Sequence, residues 1–398
     1  MDKIALLFQG QGAQHLGMGK TLYQNYSVVK EVFDEADSVL KRKISSICFH
    51  GSLSELSVPI NMFPAILSLN VALYRLYQKM GHQKPDYMAG HSLGEYAALV
   101  CSGMLSFSDA LHIICQRAEY SQNIKNGRMS VIDNLPHEKT NALCKAVSTS
   151  DCWAVPSCLN CSSQVLVSGH TQAVMQIEEQ AIRAGASISP LLFSAPLHCR
   201  LMDKVSDMLL EQLITVSFMV PSVSVLSNYT ARIYPSDANQ ARQILALQTS
   251  NPVLWQQTVR YLLHQKVHLF IEMGSQPILT RISRLTAEEE GIPADFQTFL
   301  RKDRLVPSDQ SKSFIAKCLA LTCSAPNKNW DYSAYCADVI KPYQSLCQLY
   351  KDVHQSKLPP TDEQLIEAKN LTLKILKGKN LSEQEQKEHL KHLNYGES

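Results

Sequence analysis

The stretch MAGHSLGEYAAL, Met88 to Leu99, sets one serine two residues away from a glycine on each side. A serine hydroxyl becomes a nucleophile when a base takes its proton and a sharp turn lifts its oxygen clear of the chain. Gly90 and Gly94 permit that turn, and Gly90-His91-Ser92-Leu93-Gly94 reads as the G-x-S-x-G nucleophile elbow. Five-residue patterns with three fixed small residues recur by chance, so the setting must decide. The best candidate base is His198 in FSAPLHCRLM, which follows a strand-like run and a proline turn. An isolated histidine is more often structural. Arg117 in IICQRAEY is, by residue type alone, a surface salt-bridge arginine; its functional reading is a fork that grips a carboxylate. The glycine turn GQGAQ, Gly10 to Gln14, could bring a backbone N–H to the serine from its other side.

These residues need elements to hold them. KIALLF reads as a first strand that runs into the glycine turn, and a helical region is expected from about Gly19 to Leu40. PAILSLNVALYRLYQKMG has dense helical apolar spacing and stops at Gly81. KPDYMAG is then a short strand and GEYAALVCSGML a helix, so Ser92 sits at a strand-to-helix junction, where free N–H groups suit a developing oxyanion. From about Asn126 a β-α-β-α-β run (RMSVID, PHEKTNALCKAV, QVLVSGH, TQAVMQIEEQAIRAG, SISPLLFSAP) indicates a small α+β insert reaching Ala195. SVSVLSN and VHLFIEMG resume the first unit. Strands alternating with helices predict a mostly parallel α/β sheet.

The expected units are therefore 1–125 with 196–307 as the α/β subdomain, 126–195 as the insert, and 308–398 as a helical C-terminal extension packed loosely on the core. In the extension, Trp330, Tyr335 and Tyr343 are anchors that either pack against the catalytic unit or dock a partner, and aromatics at helical spacing are more often core. The segment from Leu358 onward is polar and is expected to bury little, and Ser382 with Glu385 has capping-box spacing.

Composition excludes several classes. The 398 residues are 45% apolar and 19% charged, as in an ordinary globular enzyme. A formal net charge of +2 argues against a nucleic-acid partner. No apolar run reaches membrane-spanning length, and the run before Gln9 is too short for a signal-peptide core. Twelve cysteines, many of them in apolar segments (Cys48, Cys101, Cys115, Cys318), read as free thiols of a cytoplasmic protein. Cys158 and Cys161 form a lone C-x-x-C, with no second pair to complete a metal site, and read as structural thiols.

Taken in order, FQGQGAQ, GHSLGEYAAL, QRA, LNCSSQVLVSG, SAPLHCRLM and SNY resemble the malonyl-CoA:acyl carrier protein transacylases over Asp2 to about Arg304. The family includes stand-alone fatty-acid enzymes and acyltransferases that serve polyketide synthases in trans. The resemblance implies a hydrolase-like α/β subdomain with a ferredoxin-like insert and the active site between them. It implies malonyl transfer from malonyl-CoA, through a seryl ester, to the phosphopantetheine thiol of an acyl carrier protein, with coenzyme A thioester as substrate and no bound cofactor or metal. Ser92 matches the nucleophile, His198 the base, Gln11 and Leu93 the oxyanion-hole N–H donors and Arg117 the malonyl-carboxylate ligand. Leu254 matches the position whose carbonyl orients the histidine, and Asn160 an asparagine near the cleft. Departures are Gln9 for a proline, Phe63 for a glutamine, Leu254 for a glutamine, Gly274-Ser275-Gln276 for GPG, and Leu197 before the histidine. The rival readings are an acyl hydrolase of the same fold and a silent docking module for a synthase; Arg117 favours malonyl transfer over the former, and the intact Ser92, His198 and Arg117 argue against the latter.

Overall fold

The computed structural model describes residues 3–191, 194–300, 310–355 and 360–390. The apolar run KIALLF forms β1 (Lys3–Phe8), buried because parallel strands flank it on both sides and helices cover both faces. With β2 (Tyr87–Gly90), β7 (Ser224–Leu226), β8 (Val267–Met273) and β9 (Asp295–Thr298) it makes a five-stranded, all-parallel sheet of order β7-β2-β1-β8-β9. The register pairs Phe8 with both Gly90 and Met273. The turns that leave β1 and β2 therefore stand side by side at the carboxyl edge, where open α/β sheets place their ligands.

The insert is a four-stranded antiparallel sheet of β3 (Gly127–Asp133), β4 (Ala154–Cys161), β5 (Gln164–His170) and β6 (Ser187–Pro190), in the order β4-β5-β3-β6. Helices His137–Val147 and Thr171–Arg183 cover it, giving the ferredoxin-like β-α-β-β-α-β path. The sequence reading has no β4. Pro156 and Asn160 mask it, and register irregularities between Pro156 and Cys158 and between Leu159 and Cys161 erase its alternation. The edge strand β9 is also absent from that reading, and Tyr26, extended at φ −131°, splits the expected helix into Lys20–Asn25 and Ser27–Leu40. Leu192 and Phe193 of the expected last strand, and the boundary at 307/308, lie outside the described residues. β4 also docks the insert on the large subdomain: Leu159 N–H donates to the Val253 carbonyl at 2.8 Å and Val253 N–H to the Ser157 carbonyl at 2.9 Å.

Loose packing is not what the extension shows. Helices Gln310–Ser324, Lys341–Gln355 and Asp362–Gly378 enclose a core of their own, with Ile315, Leu319, Leu346, Ile375 and Leu376 inside and Leu16 and Leu53 of the large subdomain against it. Leu358 itself lies outside the described residues, but Leu365, Ala368, Ile375 and Leu376 beyond it are central to this core. Apolar residues one helical turn apart sat among enough lysines to read as a polar tail. Tyr335 is buried, and the Arg128 guanidinium of the insert lies over its ring at 5.2 Å. Trp330 and Tyr332 line a groove with Asn126, His170 and Met175 of the insert. No helix among the described residues is long and apolar enough to cross a membrane.

Insert and extension meet over buried charge. Arg128 pairs with Glu178 at 3.1 Å, and Lys379, buried beside them, donates to the Thr322 and Ala325 carbonyls at 2.7 and 2.6 Å. Burial pushes the Lys379 ammonium down to about 8 and the Glu178 carboxyl up. Removing the carboxylate would leave two buried cations without a counter-charge. Glu178→Ala is expected to destabilise the fold by about 3–5 kcal/mol, read as a lower urea midpoint at constant m-value; an unchanged midpoint would mean that the pair is solvated.

Candidate active site

Ser92 occupies the junction between β2 and the helix Gly94–Cys101, and its backbone sits at φ +51°, in the left-handed region that a side chain rarely adopts. The flanking glycines make the turn possible by close approach. A Cβ on Gly90 would lie 2.0 Å from the Gly94 carbonyl, and one on Gly94 would lie 2.1 Å from the Phe8 carbonyl oxygen. Asn228, just past β7, closes the turn: its Oδ1 accepts from Ser92 N–H at 2.6 Å and its Nδ2 donates to the Gly90 carbonyl at 2.6 Å.

His198 is 1% exposed, and its Nε2 stands 2.7 Å from Ser92 Oγ. Its Nδ1 is 2.8 Å from the carbonyl of Gln248. A carbonyl can only accept, so Nδ1 carries the proton and Nε2 is left to accept from the serine. Here the structure corrects the sequence reading. The Leu254 carbonyl opens the helix Trp255–His264, accepting from Thr258 N–H at 2.9 Å and Thr258 Oγ1 at 3.0 Å, and the carbonyl that meets the histidine is another one. Gln248 instead follows the last residue of the helix Ala238–Leu247, where terminal carbonyls have no partner in their own helix. His198 N–H donates to the neighbouring Thr249 carbonyl at 2.8 Å, which fixes the main chain as well.

The first glycine turn packs directly on the elbow. A Cβ on Gly10 would lie 2.3 Å from the His91 carbonyl oxygen and 3.6 Å from Leu93 N. Neither Gln11 N–H nor Leu93 N–H donates to a protein acceptor among the described residues. Two free donors thus belong to turns that touch beside Ser92.

Arg117, on the helix Phe107–Gln122, is fully buried, contrary to its ordinary place at a surface. Its guanidinium lies over the rings of Tyr96 at 5.7 Å and Phe63 at 5.9 Å, and none of its three nitrogens has a hydrogen-bond partner among the described residues. Unpaired buried charge of this kind calls for an anion. Burial first, and the Arg117 charge second, push the His198 imidazole down to about 3. Asn160 accepts from His91 Nε2 at 2.8 Å and donates to Gln164 at 2.9 Å, tying the insert to the elbow. Cys158 and Cys161 are buried free thiols on β4, and no group of three or more His, Cys, Asp or Glu among the described residues could hold a metal ion.

The acyl transferase domain family matches residues 5–314. A malonyl CoA-acyl carrier protein transacylase of Bacillus subtilis is 32% identical over 404 residues, spanning 98% of this chain and 100% of that protein, extension included. The solved malonyl CoA-acyl carrier protein transacylase of Coxiella burnetii superposes with a TM-score of 0.71 at 31% identity, over 75% of this chain and 94% of that one. A malonyl-transacylase solved in complex with its type II PKS acyl-carrier protein gives 0.70 at 33% identity, over 74% and 94%. The chain belongs to the malonyl-CoA:acyl carrier protein transacylase family.

Three of its departures from the transacylase pattern are met by contacts. Gln9 fills the space over Gly274, donating to Glu272 Oε1 at 2.6 Å and to the Gln276 carbonyl at 2.8 Å, so the changes at Gln9 and at Gly274–Gln276 answer each other. Phe63 gives Arg117 an aromatic face in place of an amide. Three residues of the site escaped the sequence reading. Asn228 lies in the quoted SNY but had no stated role. Glu95 was visible as the one charge in GEYAALVC. Gln248 carried no signal, because it lies outside the quoted motifs and meets His198 through a backbone carbonyl, which has no residue type.

A histidine held neutral when folded gains its proton only on unfolding, so it makes stability fall as pH drops below the ordinary value of 6.5, down to about 3. Between about pH 7.5 and about pH 5.5 His198 should remove about 1.4 kcal/mol of unfolding free energy. His91, also pushed down by burial, adds to the wild-type slope. Urea denaturation of His198→Gln should show a shallower pH dependence than wild type; equal slopes would place the imidazole in water.

Proposed function

We propose that the protein transfers a malonyl group from malonyl-CoA to the phosphopantetheine thiol of an acyl carrier protein, through an ester on Ser92. The observation that carries this reading is the buried, unpartnered Arg117 guanidinium acting on the same site as the Ser92–His198 pair. A neutral acyl group has no use for such a cation, and a malonyl group brings a carboxylate that can accept the hydrogen bonds its nitrogens leave unmade.

In the first half-reaction Ser92 Oγ passes its proton to His198 Nε2 as its oxygen bonds to the thioester carbon. The negative charge that develops on the carbonyl oxygen is met by the N–H groups of Gln11 and Leu93, donors of a kind worth about 3–4 kcal/mol each. Collapse breaks the carbon–sulfur bond, and the departing coenzyme A thiolate takes the proton from His198. In the second half the carrier thiol gives its proton to His198 as its sulfur bonds to the ester carbon; collapse breaks the carbon–oxygen bond, and the departing Ser92 oxygen takes the proton back from His198. The Gln248 carbonyl, in the role read from sequence for Leu254, steadies the imidazolium at each step.

The acceptor is a carrier protein of a polyketide or fatty-acid synthase; the relative solved with a type II PKS acyl-carrier protein supports the former. All twelve cysteines are free, which supports a cytoplasmic setting. Carrier-loading assays with Arg117→Ala should show malonyl transfer falling about tenfold to a hundredfold more than acetyl transfer, the value of one charged hydrogen bond. Equal losses for the two acyl groups would make Arg117 structural and favour hydrolysis of uncharged acyl groups.

A further inference from the structure

Glu95 is fully buried in the first turn of the helix Gly94–Cys101, and the reaction described above gives it nothing to do. Its Oε2 accepts from Asn228 N–H and from Gln248 Nε2, each at 3.1 Å, and its Oε1 accepts from the Tyr234 hydroxyl. Both of the first two partners also hold the reacting pair. Asn228 holds the Ser92 N–H through Oδ1. Gln248 donates Nε2 to the Ser92 carbonyl at 2.8 Å and accepts from His198 Nδ1 through its own carbonyl. One carboxylate thus sits at the point where the supports of the serine and of the histidine converge.

We propose that ionised Glu95 is a positioning residue for the acyl transfer: it clamps Asn228 and Gln248, fixes Ser92 and His198 through them, and supplies the negative charge that stabilises the imidazolium formed during the reaction. This rests on the serine–histidine reading of the site. The electrostatic part follows from what surrounds it. Arg117 reaches the site from the helix Phe107–Gln122, Tyr96 lies on the same helix as Glu95, Tyr234 comes from the segment after β7, and His198 stands across Gln248. The nearby fixed charge of Arg117 is positive and pushes the imidazole down, so a second cation on His198 forms at a cost that a buried anion offsets. Burial pushes the Glu95 carboxyl up to about 7, while Tyr234, Gln248, Asn228 and Arg117 pull it back. Its ionisation therefore falls where enzymes work, while His198, pushed down to about 3, contributes none in that range.

The test is the pH profile of kcat/KM for malonyl-CoA in wild type, Glu95→Gln and Tyr234→Phe, with thermal unfolding run alongside. Wild type should rise with pH through one ionisation near 7. The amide of Glu95→Gln can still accept from Asn228 and Gln248 and can donate to the Tyr234 hydroxyl, so it keeps the supports and loses only the charge. It should keep KM, lose about tenfold in kcat with malonyl-CoA and acetyl-CoA alike, and lack the ionisation. Tyr234→Phe removes one donor to the carboxylate and should move the ionisation to higher pH, a result that stands even if Glu95→Gln does not fold. A folded Glu95→Gln with wild-type kcat, a retained ionisation, or an unmoved profile in Tyr234→Phe would overturn the assignment. Wild type that forms no seryl ester would overturn it together with the reading beneath it, and is told apart because wild type itself is the reference.

Discussion

Everything at this site depends on one backbone angle, the left-handed turn at Ser92. A serine there is strained, and the strain persists because its surroundings leave no other conformation. Parallel pairing of Phe8 with Gly90 sets the two loops edge to edge. Main-chain atoms then fill the space where side chains at Gly10, Gly90 and Gly94 would stand. The turn frees the Leu93 N–H, aims the hydroxyl at His198 and begins the helix that buries Glu95. Geometry and electrostatics share a single origin in the β1–β2 register.

The pair is also unusual in its charge. Its histidine is oriented by the Gln248 carbonyl, with no carboxylate in contact, and it lies near a buried arginine. Such a histidine stays neutral at working pH and is always ready to accept a proton. The same arginine makes protonation of the base costly, so the anion that the site draws in helps to balance the charge. In the proposed reaction, a carboxylate-bearing substrate would neutralise Arg117 as it binds and so ease the step that follows.

The parallel sheet, the insert and the turn at Ser92 were legible because they declare themselves locally, in glycines around a serine and apolar runs between turns; His198, which the structure sets against Ser92, and Arg117 stood out only through the ordered series of short motifs. What was not legible depends on tertiary contact. β4 carries a proline and two register irregularities, so its period is lost until β5 and the Val253 segment pair with it. Leu254 was matched by position in a motif, but helix polarity decides where a carbonyl points, and the free one is at the end of the preceding helix, at Gln248. The segment beyond Leu358 looked like a polar tail because its apolar residues, Leu365, Ala368, Ile375 and Leu376, meet their partners only when the helices of the extension fold on one another. Gln9 looked like an isolated departure until Gly274 was seen beneath its side chain.

The central claim is that Ser92 carries the acyl group between two thiols. Intact-protein mass spectrometry after brief mixing with malonyl-CoA tests it most directly. The account predicts that wild type gains the mass of one malonyl group, that the gain maps to Ser92, that added carrier protein removes it, and that Ser92→Ala, still folded, gains nothing. A malonyl adduct that persists in Ser92→Ala, or a wild-type protein that stays unmodified while the carrier becomes loaded, would contradict it.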